Sequence, residues 1–153
     1  MSSSAAWPRA SEVQLVDANV LLYAVNRDAA QHQVARRWLD AALGGDEAVA
    51  FDWVVLLAFI RLGTRAGLFP RPLSTQQAVS VVERWLVRPA ARILTPSASH
   101  LSLMGGLLER SGSAGNLVND AHLAALALGH GAGIVSFDRD FGRFEGLRWS
   151  KPA

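Results

Sequence analysis

Apolar residues fall along the chain in short runs separated by longer stretches at helical spacing, and this alternation predicts the elements in order. VQLV (13–16) reads as a strand, followed by VLLYAV and an amphipathic helix around 30–43 that places Val34, Trp38, Ala41 and Ala42 on one side. AVAF (48–51) reads as a second strand and WVVLLAFIRLGTR as a helix, which the proline-rich FPRPL interrupts. STQQAVSVVERWLV is a helix with Ser74 placed to cap it, ARIL (91–94) a strand, and SASHLSLMGGLLERSG a helix that ends in a glycine turn. A helix from about 119 to 129, the strand GIVS (133–136) and a short terminal LRW complete the chain.

Strands that alternate with helices predict an α/β fold, a central parallel β-sheet flanked by helices on both faces. The chain has 153 residues, half of them apolar, which suits one domain over 13–153 behind a polar N-terminal leader, residues 1–12. The absence of cysteine removes disulfides, thiol nucleophiles and zinc thiolate sites together. The opening MSSSAAWPRASE carries no signal-like apolar core, and the run WVVLLAFI (53–60) ends at Arg61, so a cytoplasmic protein without a membrane span is expected. The formal charge of +2 does not by itself point to nucleic acid, although all but one of the 15 basic residues are Arg, the better phosphate fork.

In a parallel sheet, ligands bind beyond the carboxyl ends of the strands. Asp17 directly follows the first strand, Asp138 follows GIVS by one residue, and Asp120 opens the helix before that strand, so all three should reach the same edge. With oxygen ligands only, such a cluster suits a hard cation, Mg²⁺ or Mn²⁺ as its substitute. Each residue also has a plain structural use: Asp17 and Asn119 or Asp120 as helix caps, Asp138 to Asp140 as a turn. Their joint placement favours the cation, because carboxylates brought together repel one another.

The segments LVDANVLLYA, GNLVNDAHLAALALGHGAGIVSFDRDF and FEGLRWSKP, spread over residues 13 to 152, resemble the PIN-domain toxins of VapBC type II toxin–antitoxin systems. The resemblance implies a PIN-like fold, Mg²⁺-dependent endoribonuclease activity by phosphodiester hydrolysis, and a cognate antitoxin as partner. It carries the family's acids onto Asp17, Asp120 and Asp138 as catalytic residues, with Asp17 and Asp120 holding the metal and Asp140 as an accessory acid. Hydrolysis leaving a 5′-phosphate is likewise implied by the family rather than by spacing.

One position departs from the family pattern: Ala58 stands where a helix glutamate is usual. Asp52, six residues upstream, would be about 240° round the helix and could not replace it, whereas Arg61 shares its face. Arg61 and Arg139 are candidates to bind the RNA backbone, and Asn19 and Asn116 to bind substrate or orient the carboxylates. The alternative reading is a catalytically weak or inactive PIN-like module that binds RNA or a protein without cutting. A phosphoacceptor receiver domain would need a lysine after a late strand, and the single lysine is Lys151.

The remaining motifs read as structure. GHGAG (129–133) follows a helix and precedes a strand, so it is a glycine helix stop rather than a phosphate loop. His122 points about 200° away from Asp120 on a helix, which argues against shared ligation. His32, His100 and His130 have no partner spacing, and the tryptophans other than the unassigned Trp7 suit helix packing rather than base stacking. AVSVVERWLV (78–87) and the helix at 98–110 carry more apolar residues than one core stripe needs, which suggests a homodimer.

Overall fold

The computed structural model describes residues 13–67, 69–112 and 117–153. The proposed leader and Asn116 therefore lie outside the described residues. Five short strands form one sheet: β1 (Gln14–Val16), β2 (Val49–Phe51), β3 (Ala91–Ile93), β4 (Gly133–Val135) and β5 (Trp149–Ser150). Their order is β3-β2-β1-β4-β5, and every neighbouring pair is parallel. Leu15 in the central strand faces Ala50 on one side and Ile134 on the other. Because the strands are covered on both faces, they carry unbroken apolar runs: Leu15, Val16, Val49, Ala50, Phe51, Ile134 and Val135 are all buried.

Six α-helices accompany the sheet among the described residues: α1 (Ala18–Val25), α2 (His32–Leu43), α3 (Trp53–Gly63), α4 (Thr75–Leu86), α5 (His100–Ser111) and α6 (Val118–His130). The Ser74 cap forms as a full capping box, with the Ser74 hydroxyl accepting from the Gln77 amide and the Gln77 side chain accepting from the Ser74 amide. Gly131 ends α6 at φ 65°, a left-handed cap that glycine adopts without strain, so GHGAG is a helix stop. The buried stripe of α2 is Ala35, Leu39 and Leu43, at a strict four-residue spacing. The expected face is corrected accordingly: Trp38 and Ala42 flank the core, but Val34 and Ala41 are exposed.

From β1 the chain steps outward to β2 and β3, whereas β4 and β5 lie on the other side. The winding therefore reverses between β1 and β4, and a crevice opens beyond the carboxyl ends of these two strands, where helices diverge. Asp17 and Asp138 come from the segments that leave those two ends.

Candidate active site

Asp17 is the N-cap of α1, and its carboxylate accepts from the Ala18 amide at 2.8 Å. The structural reading of this residue is thus realised, yet the cap leaves its other oxygen turned toward β4. That oxygen accepts from the Ser136 hydroxyl at 2.7 Å and from Asn19 Nδ2 at 3.2 Å. Ser136 is fully buried and has no hydrogen-bonding capacity to spare, since its oxygen also accepts from Asn19 Nδ2 at 3.0 Å and from the Asp138 amide at 2.9 Å. Asn19 accepts in turn from the Phe137 amide at 3.1 Å. One serine and one asparagine thereby tie the start of α1 to the segment after β4, fixing Asp17 and Asp138 relative to each other.

Asp138 then caps a short 3₁₀ helix (Arg139–Arg143), accepting from the Asp140 amide at 2.9 Å. Asp120 arrives from a third direction, in the first turn of α6, whose N-cap position is Leu117. Neither Asn119 nor Asp120 caps that helix, so the carboxylate of Asp120 has no capping role there. One carboxylate oxygen each from Asp120, Asp138 and Asp140 lie within 4.8 Å of one another. Asp17 is set deeper and outside this trio, coupled to it through Ser136 and through its field.

The electrostatics follow from this convergence. Burial raises the Asp17 carboxyl above 3.8 against the opposing hydrogen bonds from Ser136 and Ala18, and the charge of Asp138 adds to the rise. Asp120 is pushed up to about 6, first by burial and then by the charges of Asp138, Asp17 and Asp140, with Arg143 opposing. A group of carboxylates held together under repulsion is an oxygen-only donor set for a hard cation, which would remove the repulsion. The donor set therefore fits Mg²⁺ or Mn²⁺ and offers nothing suited to a thiophilic metal.

The polar residues expected around the acids divide. Asn19 lies in the site with both ends of its amide engaged by protein partners, an orienting position for Asp17 rather than an open contact for substrate. Arg139 is exposed at the start of the 3₁₀ helix between Asp138 and Asp140. Arg61 is exposed in the last turn of α3, nine residues or about 13 Å of helix rise beyond Asp52. The arginine that acts on the acids is Arg143, 3.3 Å from Asp140, and nothing local to it beyond its place after SFDRDF marks it out.

Ala58 is half-buried on α3. Asp52, buried at the end of β2, turns to His122 Nε2 at 2.9 Å, and His122 Nδ1 lies 2.9 Å from His100 Nε2. The expectation that His100 has no partner is therefore corrected. Its partner is 22 residues away on another helix, beyond the reach of any local spacing. Trp53 corrects the expectation for the tryptophans in the same region, being half exposed at the start of α3, whereas Trp38, Trp85 and Trp149 pack against the core.

Residues 15–147 match the PIN domain family. Among curated proteins the chain is similar to Ribonuclease VapC37 of Mycobacterium tuberculosis, 54% identical over 140 residues that span 92% of this chain and 97% of the relative. It is 37% identical to Ribonuclease VapC33 of the same organism over 136 residues, 89% of this chain and 95% of the relative. Its fold is similar to the crystal structure of VapBC2 from Rickettsia felis bound to a promoter DNA fragment, with a TM-score of 0.66 and 22% identity, covering 91% of this chain and 98% of that one. It is also similar to M. tuberculosis VapC20, described as a sarcin-ricin loop cleaving toxin, with a TM-score of 0.65 and 21% identity over 88% of this chain and 98% of that one. A match over most of the chain, with close relatives covered almost end to end, establishes that this chain belongs to the PIN-domain family and, within it, to the VapC ribonucleases.

Proposed function

We propose that this protein is the toxin of a type II toxin–antitoxin system and cuts RNA by Mg²⁺-dependent phosphodiester hydrolysis at the crevice between β1 and β4. The observation that carries the reading is the meeting of Asp120, Asp138 and Asp140 within 4.8 Å, beside a buried Asp17, at the point where the sheet reverses its winding. Asp17, Asp120 and Asp138 are the proposed catalytic residues. Asp17 and Asp120 would hold the cation, with Asp140 as an accessory acid.

A bound divalent cation would supply positive charge and Lewis acidity at the scissile phosphate. The protein supplies the rest. Ser136 and Asn19 together with the Ala18 amide hold the Asp17 carboxylate against rotation, so its charge stays fixed toward the crevice. Asp138, anchored through its own amide to Ser136, is placed to orient the attacking water and take its proton. Arg139 is the proposed backbone contact, as its guanidinium pairs with phosphate in bidentate fashion. Arg61 and Asn116 are further proposed contacts to the substrate.

The leader (1–12), a catalytic domain over 13–153 and a cytoplasmic setting complete the proposal; no helix among the described residues is long and apolar enough to cross a membrane. The partner is a small antitoxin, supported by the similarity of the fold to VapBC2 from R. felis. Self-association as a homodimer is expected as well.

The test is incubation of antitoxin-free protein with pooled transfer and ribosomal RNA in Mg²⁺, Mn²⁺ or EDTA, beside Asp17→Asn and Asp120→Asn variants of unchanged fold. Cleavage that requires the metal and disappears in both variants is the expected result, and cleavage that persists in either variant sinks the assignment. Ala58 favours the second reading, a domain that binds without cutting, because a small apolar residue stands where the resemblance expects a helix glutamate. Silence on every RNA together with no measurable Mn²⁺ binding selects that reading.

A further inference from the structure

Asp52, His122 and His100 form a hydrogen-bonded chain that the acid cluster does not use. It starts at the carboxyl end of β2, the strand beside β1, so its root lies about 5 Å across the sheet from that of Asp17. It passes through α6 two residues beyond Asp120, on the opposite side of that helix. It ends at the first residue of α5, which also begins at the carboxyl edge, since it follows β3. Exposure rises along it: the Asp52 side chain is 6% exposed, that of His122 16%, and His100 is half-buried beside Leu101, which is 79% exposed.

The chemistry of the buried end sets the state of the open end. A carboxylate only accepts, so His122 must carry a proton on Nε2 to meet Asp52. In the neutral ring Nδ1 is then a bare acceptor, and His100 must donate to it from Nε2. That leaves Nδ1 of a neutral His100 as an acceptor, and no hydrogen-bond partner for it is found among the described residues. Burial and the adjacent His122 lower the pKa of His100, which keeps the ring neutral near pH 7. A cation cannot seat in the chain, because His122 uses opposite ring nitrogens for its two partners.

We infer that His100 is a substrate-contacting residue, presented by Asp52 through His122, whose Nδ1 accepts a hydrogen bond from an O–H or N–H donor of the RNA strand beside the cleavage crevice. An acceptor of this kind repels phosphate oxygens and selects a donor, and a single strand offers two, the ribose 2′-hydroxyl and the base N–H groups. A buried acid that fixes the tautomer of a half-buried histidine at the surface is the logic by which a carboxylate orients a catalytic imidazole, applied here to recognition. The substrate class rests on the ribonuclease reading above.

The test measures anisotropy of a short, labelled single-stranded RNA of mixed sequence, and of its 2′-deoxy analogue, on the full chain in EDTA, where cleavage does not intervene. His100→Ala and His122→Phe should each weaken RNA binding by about three- to tenfold, the worth of one hydrogen bond. The double variant should lose no more than either alone, because both break one chain. An RNA-only loss assigns the donor to the 2′-hydroxyl, and an equal loss on both strands assigns it to a base. A long-range ¹H–¹⁵N spectrum should show both rings as Nε2–H tautomers, with the His100 tautomer mixed in His122→Phe. Unchanged binding in folded His100→Ala, no binding of either strand by the unaltered protein, or a proton on His100 Nδ1 overturns the inference. Failure of the nuclease reading is seen elsewhere, as silence on every RNA in the cleavage assay together with no measurable Mn²⁺ binding.

Discussion

Asp120 carries the clearest energetic signature of any single residue. Its pKa stands at about 6 in the folded protein against 3.8, so between those values the folded state binds more protons than the unfolded one. Stability of the metal-free protein must then fall as pH rises through that window, because ionisation is easier in the unfolded chain. Asp120→Asn removes the strain. After allowance for a half-exposed site, on the order of 1 kcal/mol is gained at pH 7, or about 3 °C in Tm by calorimetry in EDTA. The same variant should lose Mn²⁺ binding, and in the unaltered protein Mn²⁺ affinity by titration calorimetry should be higher at pH 7 than at pH 5, where the proton competes. A variant neither stabilised nor impaired would show that the carboxylate neither bears strain nor meets a cation. Ser136 is the converse case. Ser136→Ala removes the shortest hydrogen bond of the Asp17 carboxylate and strands the Asp138 amide, so it should cost about 1–3 kcal/mol in urea unfolding. It should also weaken Mn²⁺ binding by about 10- to 100-fold, as loss of a ligand's supporting partner does.

At the scale of elements, what was readable from sequence depended on how far apart in the chain the determining partners lie. The cores of β1 to β4 follow from local period, and Ser74 with Gln77 announces α4 outright. Ser74→Ala should therefore destabilise by about 1 kcal/mol, seen in urea unfolding, and leave Mn²⁺ affinity unchanged because α4 supplies none of the acids. The face of α2 departs from the one its sequence predicts because Val34 and Trp38 outweigh Ala35 in hydrophobicity, while packing against α1 selects the stripe of Ala35, Leu39 and Leu43. The acids were legible because each sits at the end of a strand or the start of a helix. Ser136 and the Asp52–His122–His100 chain were not, since their partners are 119, 70 and 22 residues distant and only the closed sheet brings them together. Arg143 escaped for a different reason: it is one arginine among many, and its role comes from the 3₁₀ turn that brings it back to Asp140.

For the whole molecule, the question is what covers the apolar surface that the fold leaves open. The core takes few residues from α4 and α5: Ala78 and Val82 from one, Leu107 from the other. Val79 at 42% and Val87 at 77% exposure remain outside on α4 and its C-cap, with Leu101 at the start of α5. Hydrophobic side chains left in water forgo about 1.5–3 kcal/mol each when fully uncovered, and a two-fold contact buries each of them twice. The expected state is a dimer held through α4, with Val79→Asp and Val87→Asp together giving a monomer by light scattering while far-ultraviolet circular dichroism stays unchanged. The acids lie beyond the carboxyl ends of the strands and take nothing from α4, so the monomeric variant should keep its Mn²⁺ affinity. An unaltered protein that is monomeric across concentration would refute the dimer, and dissociation by Leu101→Asp alone would move the interface to α5.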